Sequence, residues 1–205
     1  VWWHSFWNRS YISISTKDES EKANVFNINR RYNLQRFINA CSGRGNSPIK
    51  FNGSIFTVDT KDLHGEYQGF DADYRRWGGP YWWQNTRLPY WNMLESGDFD
   101  LMLPLFKMYK DALPIRKLAT KTYYNHKGVF FPETQYFWGT YVDGNYGRDR
   151  SELPLGMTEN QYIRYYWQSG LELSLMMLDY YNFTKNDVFL KKTLLPIVSE
   201  IIHFY

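Results

Sequence analysis

Residues 158–205 read TENQYIRYYWQSGLELSLMMLDYYNFTKNDVFLKKTLLPIVSEIIHFY, and this stretch decides the fold class. Its first four residues have the spacing of an N-terminal capping box. Apolar residues then recur at helical intervals, stop at the polar run 184–187, and recur to the end of the stretch. Because the polar connection is short, we expect two helices packed antiparallel. The predicted core-facing stripes are Ile163, Trp167, Leu171, Ser174, Leu178 and Tyr181, then Leu190, Leu194, Ile197, Val198, Ile201 and Tyr205.

Three further helical patterns precede this hairpin. The first runs from Val25 to Cys41 and the second from Gln84 to Glu95. The third runs from Asp98 to Tyr124; we expect it to open at an Asp N-cap and to be bent or split by Pro104 and Pro114. Repeated helical hairpins joined by long aromatic loops predict a mainly α fold, either an α/α toroid or a helical bundle. The predicted core-facing residues of the first helix are Phe26, Tyr32, Leu34, Phe37, Ile38 and Cys41.

Extended structure is predicted only between the helices. In residues 1–23 we expect an aromatic helix or turn, then a strand at Tyr11–Ser15 from its Ile/Ser alternation, then a polar linker. A second short strand is predicted at Ser54–Val58 within the long loop 46–80, and an extended hairpin or insert at 128–141. Loops of this length are usually functional or covering segments.

Composition excludes several classes of protein. Aromatic residues make up 20% of the 205 residues, with 14 Phe, 9 Trp and 18 Tyr, which excludes a disordered or low-complexity chain. The net charge of +3 and the scattered basic residues argue against a nucleic-acid partner, although stacking aromatics beside Arg75, Arg76 and Arg87 keep that alternative open. No apolar run is long enough for a membrane span. The four histidines and single cysteine show no metal-ligand spacing, and no motif indicates a cofactor.

The two ends of the sequence indicate a longer polypeptide. The chain opens on Val1 without a methionine and stops inside an amphipathic pattern at Tyr205. We therefore interpret residues 1–205 as the N-terminal portion of one domain of a larger protein.

The densest candidate site is the stretch WGGPYWWQNTRLPYW at 77–91. Pyranose rings stack on Trp and Tyr, and their hydroxyls bond to planar amide, carboxylate and guanidinium groups. Both kinds of side chain occur here side by side, which favours carbohydrate binding; aromatics that merely fill a core are the alternative. The candidate sugar contacts are Trp77, Trp82, Trp83, Arg87 and Trp91.

A second cluster, GVFFPETQYFWG at 128–139, holds a lone carboxylate among aromatics. Desolvation raises the pKa of such a group, which suits a general acid. Glu133 is therefore the candidate acid, with a structural carboxylate as the equal alternative. Gln135 and Trp138 are further candidate sugar contacts.

Four stretches in order give the chain a family resemblance: Tyr32–Gly45, Pro48–Phe56, Asn85–Trp91, and the hairpin segment from Leu178 to Leu190. Together they resemble the catalytic region of glycoside hydrolase family 95, the α-L-fucosidase and α-L-galactosidase group, and related bacterial six-hairpin proteins. The resemblance implies part of an (α/α)6 toroid. It also implies an inverting, exo-acting hydrolase that is periplasmic or extracellular.

The resemblance implies a catalytic Glu as acid and an Asn pair, supported by an Asp, that activates water. Asn85 matches the second Asn of the pair, and we expect it to orient the water. Trp83 stands where the first Asn is expected, and the family's acid and Asp fall beyond Tyr205. This departure keeps open a second reading, a non-catalytic carbohydrate-binding or degenerate domain.

Overall fold

The fold is mostly helical in a computed structural model that describes residues 1–50, 55, 79–140, 154 and 166–205. Several sequence predictions lie outside the described residues: the capping box at 158–161, Ile163, Trp77, Arg75 and Arg76, and the strand at 54–58 apart from Ile55. No helix among the described residues is long and apolar enough to cross a membrane.

The N-terminal segment contains no strand, so the strand predicted at Tyr11–Ser15 is wrong. Helix α1 spans Trp2–Trp7, and irregular chain follows it to a 3-10 turn at Glu19–Glu21. The backbone N–H and carbonyl of Ile14 bond to the side-chain amide of Asn29, at 3.0 and 2.9 Å. Since a helix side chain takes up these backbone groups, the segment lies on a helix and pairs with no strand in the described structure.

Helix α2, Lys22–Gly43, begins inside the predicted linker and buries a different face from the predicted one. Its buried residues are Arg36, Asn39, Ala40 and Gly43, while Phe26, Leu34 and Phe37 are exposed. The buried face of α2 differs because it contains a buried ion pair, which the pattern of apolar residues does not indicate. The guanidinium of Arg36 donates to both carboxylate oxygens of Asp98, at 3.1 and 2.9 Å, and lies over the ring of Phe6 at 4.3 Å.

The ion pair also corrects the role of Asp98. Its side chain makes no helix-capping hydrogen bond; it accepts from Arg36 and from the hydroxyl of Ser96 at 2.8 Å. The carboxylate therefore ties α2 to the middle of the chain.

The middle of the chain forms a run of short helices. These are α3 at Trp83–Thr86, α4 at Leu88–Ser96, a 3-10 turn at Phe99–Leu101, α5 at Leu103–Asp111 and α6 at Leu113–Tyr124. Pro89, Pro104 and Pro114 occupy the first turns of α4, α5 and α6. Proline lacks the N–H that a helix interior requires, so each one starts a new helix. The predicted splitting at Pro104 and Pro114 is confirmed.

Two short strands join loops that are distant in sequence. Strand β1, Tyr81–Trp82, pairs antiparallel with β2, Thr134–Gln135. Tyr81 is opposite Gln135, and Trp82 is opposite Thr134. The pairing brings together the two clusters that the sequence singles out.

The C-terminal hairpin has the predicted antiparallel arrangement. Helix α7 spans Ser169–Thr184; α8, Asp187–Phe189, leads through a π-helical turn, Leu190–Leu194, into α9, Leu195–Ile202. Asn186 caps the second half, since its side chain accepts from the N–H groups of Val188 and Phe189. Tyr180, near the end of α7, contacts Phe189 at a ring separation of 4.4 Å.

The buried face of α7 differs from its predicted stripe. Leu171 and Leu178 are exposed, and the buried residues are Ser169, Gly170, Leu173, Met176, Met177 and Tyr180. Gly170 lets α9 pack closely on the observed face, since a Cβ there would lie 3.2 Å from Ile201. In the second half of the hairpin, the predicted core residues Leu194, Ile197 and Ile201 are buried, whereas Tyr205 is exposed.

One continuous core lies beneath these helices. Among its completely or almost completely buried members are Trp83, Tyr90, Phe106, Tyr109, Phe131, Met176 and Ile197. Residues of the 83–91 segment, Val129 and Phe131 therefore pack in the same core as the C-terminal hairpin, which connects the candidate site to that core. Phe130 lies in a second, smaller cluster with Tyr123, Trp167 and Phe204.

Candidate active site

Glu133 lies directly before β2, and Trp83 lies directly after β1. The backbone N–H of Trp83 donates to the carbonyl of Glu133 at 2.7 Å, which continues the strand pairing. The next N–H, of Gln84, donates to both side-chain oxygens of Glu133 at 3.0 and 3.2 Å. Glu133 is buried, with 3% of the residue exposed to solvent. The pairing of the two strands thus positions the carboxyl group of Glu133 beside the start of α3.

Burial raises the pKa of Glu133 from 4.5 to about 7. The Gln84 N–H and the Arg87 charge oppose this rise, and the negative charge of Glu172 adds to it. Desolvation is the largest cause, because a buried carboxylate loses its hydration. At neutral pH the group therefore holds a proton for a large part of the time, which is the state a general acid requires.

Glu172 is a second carboxylate of the same site, and the sequence reasoning missed it. It lies in the first turn of α7, and its Oε2 accepts from the indole Nε1 of Trp83 at 2.6 Å. The same oxygen lies 3.2 Å from Nε of Arg87. The signal that could have found it is a lone acid in the apolar run SGLELSLMML.

Three of these contacts come from α3 and from Arg87, the residue that follows it. Trp83 and Arg87 are four residues apart, so their side chains leave the helix on one face, toward Glu172. Gln84 presents its backbone N–H to Glu133. Asn85 is half-buried on the same turn.

The segment that carries Glu133 is held at both ends and in the middle. Gly128 and Gly139 have φ of +78° and +93°, a region that favours glycine, and both press against helices. A Cβ on Gly128 would lie 2.5 Å from the backbone N of Phe204. The buried guanidinium of Arg116 donates to the carbonyls of Phe130 and Gly139, at 3.1 and 3.2 Å.

Lys50 fixes the other strand where it enters the site. Its Nζ donates to the carbonyls of Gly79 and Pro80, both at 2.8 Å, and lies 3.7 Å from the centre of the Tyr81 ring. Burial lowers the pKa of Lys50 from 10.5 to about 8. The amine thus holds the chain immediately before β1.

The predicted sugar contacts fall into two groups by accessibility. Trp83 and Gln135 are completely buried, so neither presents a face to a sugar. Trp83 instead donates to the carboxylate of Glu172 and to the backbone carbonyl of Glu133. Trp91 is half-buried against the core, and Trp82 is half-buried beside the site. Trp138 is 60% exposed and stacks on Tyr136, with ring centres 4.6 Å apart.

Two buried polar groups near Glu133 have no hydrogen-bond partner among the described residues. They are the hydroxyl of Tyr109 and the amide of Gln135. The ring of Tyr109 packs edge-on against Trp83 at 5.6 Å and Phe131 at 4.8 Å. Buried polar groups without partners cost free energy, and such costs are commonly found at functional sites. Within the described residues no group of three His, Cys, Asp or Glu side chains could hold a metal ion.

Comparison with known proteins identifies the family. The model of the glycosyl hydrolase family 95 catalytic domain matches residues 61–205. The match includes the stretches Asn85–Trp91 and 178–190 of the sequence resemblance and stops short of the two earlier stretches. No curated protein and no solved structure matches the chain significantly. The mainly helical fold agrees with the helical toroid of this family's catalytic domain, and the chain belongs to glycosyl hydrolase family 95.

Proposed function

We propose that this glycoside hydrolase domain removes sugars from the end of a poly- or oligosaccharide, with inversion at the anomeric carbon and Glu133 as proton donor. The observation that supports this role is the burial of Glu133 between aromatic residues, with its pKa near 7. A protonated carboxylic acid at neutral pH is what the leaving oxygen of a glycoside needs.

Each neighbouring side chain has a role in the proposed site. Asn85, on the same helical turn as the Glu133 contact, orients the attacking water through its amide. Arg87 bonds to sugar hydroxyls with Nη2, since its Nε faces Glu172 and its Nη1 donates to the carbonyl of Gln84. Trp82, Trp91 and Trp138 offer aromatic faces on which sugar rings stack, and Trp138 is the most exposed of them.

The proton of Glu133 reaches the glycosidic oxygen directly or through one water, as general acids do. Its 3% exposure favours the second route. We propose a periplasmic or extracellular location for the protein, where glycans from other sources are available.

Glycan hydrolysis by the purified full-length protein tests the proposal. The probe is a panel of α-L-fucosides, α-L-galactosides and plant and host oligosaccharides, with reducing-sugar release and product size as readouts. We expect single monosaccharides as the first products. We also expect Glu133→Gln to lower turnover by about 10²- to 10⁴-fold. The control is Glu95→Gln, an exposed carboxylate of α4, which should keep full activity.

A non-catalytic carbohydrate-binding domain is the second candidate. It is favoured by Trp83, which is buried at the position where the family resemblance implies an Asn. Calorimetry on the same panel separates the two candidates. Binding without release of reducing sugar would establish the second and contradict the first.

A further inference from the structure

We propose that a pocket at the end of the C-terminal hairpin binds the sulfate or carboxylate group of an acidic glycan. The pocket has a volume of about 340 Å³ and lies between the second half of α6, residues 126–128 and the end of α9. This volume is within the range of small-molecule sites in proteins. The choice of a glycan as the ligand rests on the proposed function, and the pocket adds to that function the charge class of the substrate.

Cationic side chains meet at this pocket from three parts of the chain. Lys117 and Lys121 are four residues apart on α6, so both lie on one face of that helix. His126 and Lys127 follow α6, and His203 follows α9. All five side chains line the pocket, and each histidine adds a further positive charge when it is protonated.

The negative groups around the pocket do not balance these cations. Glu200 is the one carboxylate among the described lining residues, and its Oε1 lies 2.6 Å from Nζ of Lys117. The C-terminal ends of α6 and α9 add partial negative charge, about half an elementary charge each. Among the described residues, neither Lys121, which donates to the side chain of Asn125, nor Lys127 has an ion-pair partner. Since like charges repel, an anion that enters this pocket is attracted.

The backbone beneath the pocket is fixed, so the cations are held close to one another. The N–H of Val129 donates to the carbonyl of Glu200 at 2.8 Å. A Cβ on Gly128 would lie 2.6 Å from the same carbonyl oxygen, which shows how closely the loop approaches α9. The Nδ1 of His126 lies 2.8 Å from the carbonyl oxygen of Lys127. Residues 126–128 are therefore positioned against the end of α9.

Aromatic rings adjoin the pocket and suit the ring of a sugar. The ring of Phe204 packs edge-on against His126, with ring centres 5.9 Å apart. Phe204 also contacts Tyr124 and Tyr205, at 6.2 and 5.3 Å, and these two tyrosines are 38% and 57% exposed. An acidic group in the pocket thus brings the sugar that carries it close to exposed aromatic faces.

A nucleic acid is the less favoured anion for this pocket. Nucleic-acid binding uses a groove or stripe of cations that follows many phosphates. The described cations here form one compact group, and the whole chain has a net charge of only +3. A single acidic group on a sugar matches a pocket of this kind better.

Calorimetric titration of the full-length protein tests the pocket by binding alone. The ligands are a sulfated galactan oligosaccharide, an oligogalacturonate, and their desulfated and carboxyl-reduced counterparts. We expect at least one acidic oligosaccharide to bind about 10-fold or more tightly than its neutral counterpart, and to bind more weakly as salt is raised. The double variant Lys121→Gln/Lys127→Gln should lose this preference. The control Lys191→Gln/Lys192→Gln removes the same charge from two exposed lysines outside the pocket and should keep it.

Several results would overturn the proposed pocket. These are equal affinity for acidic and neutral oligosaccharides, no binding of either acidic one, and an equal loss in the two double variants. Duplex DNA that binds as tightly as the acidic glycan would also contradict it, because the surface would then attract any polyanion. Circular dichroism of each variant separates unfolding from lost binding.

Failure of the pocket and failure of the hydrolase function give different results. Preferential binding of an acidic glycan without release of any sugar would support the pocket and overturn the hydrolase function. Hydrolysis of neutral glycans with no preference for acidic ones in binding would support the hydrolase function and overturn the pocket.

Discussion

The indole Nε1 of Trp83 donates a 2.6 Å hydrogen bond to Oε2 of Glu172. The backbone N–H of the same tryptophan donates to the carbonyl of Glu133 at 2.7 Å. One buried residue therefore holds both carboxyl-bearing segments, the loop before β2 and the first turn of α7. The position that departs from the family pattern is the one that organises this site.

The variant Trp83→Phe should test the hydrogen bond from Trp83 to Glu172 separately from the packing of the ring in the core. The variant keeps an aromatic ring in the core but removes the donor to Oε2, so Glu172 is no longer held in one orientation. We expect kcat to fall by about 10-fold or more, as about 1.5–3 kcal/mol is typical for a hydrogen bond to a charged group, with KM little changed. Steady-state kinetics measure this.

Trp7→Phe, a half-buried tryptophan of α1 remote from the carboxylates, is the matched control. Equal kinetics for the two variants would show that Trp83 does not position Glu172.

The pH dependence of turnover should report Glu133. A general acid works only while protonated, so activity should fall as pH rises through its pKa of about 7. The charge of Glu172 raises the pKa of Glu133. In the residual activity of Glu172→Gln, the fall in turnover on the alkaline side should therefore occur at lower pH. A fall at the wild-type pH would show that the two carboxyl groups are not electrostatically coupled.

Gly139→Ala should loosen the segment that carries Glu133. The residue has φ of +93°, and a Cβ would lie 2.7 Å from the Cβ of Ala112, at the junction of α5 and α6. Strain of this kind costs about 1–3 kcal/mol of the free energy of unfolding. Urea denaturation measures it. Gly45→Ala is the control, because nothing lies within 4 Å of a Cβ there; equal losses in both variants would contradict the close contact.

Arg36→Met should be the most destabilising of these changes. It removes the two-point cation of Asp98, which is 2% exposed, and leaves this buried carboxylate, among the described cations, only the longer 3.5 Å contact with Nη1 of Arg9. Breaking such a pair costs about 3–5 kcal/mol. In contrast, Lys107→Met breaks an exposed pair with Asp111 and should cost less than about 1 kcal/mol. Thermal and urea unfolding of the two variants give the comparison, and similar losses would show that the Arg36 pair adds nothing by being buried.

The sequence predicts elements well where a local signal is strong. Prolines mark the starts of α5 and α6, and the Asn186 cap marks the second half of the C-terminal hairpin. The sequence-based prediction fails where a residue distant in sequence determines the local structure. Ile14 lacks a strand because Asn29 takes its backbone groups, and α2 turns Arg36 inward because Asp98 lies opposite.

The candidate site is likewise predictable where the signal is local and not where it depends on distant residues. Glu133 is recognisable from its aromatic neighbours in sequence, and the expected desolvation agrees with its burial. Glu172 is not recognisable, because its partners Trp83 and Arg87 are more than eighty residues away and meet it only through tertiary packing. Trp83 resembles a sugar contact in sequence, and only the packing reveals it as an internal support.

The ionisation of Glu133 is the most direct test of the central claim, that this carboxyl group holds a proton at neutral pH. Carbon-13 NMR of side-chain carboxyl-labelled glutamate in the full-length protein follows it, with the resonance assigned by its loss in Glu133→Gln. We expect a titration midpoint of about 7. A midpoint at the ordinary value of 4.5 would make Glu133 a structural carboxylate and contradict its role as the acid.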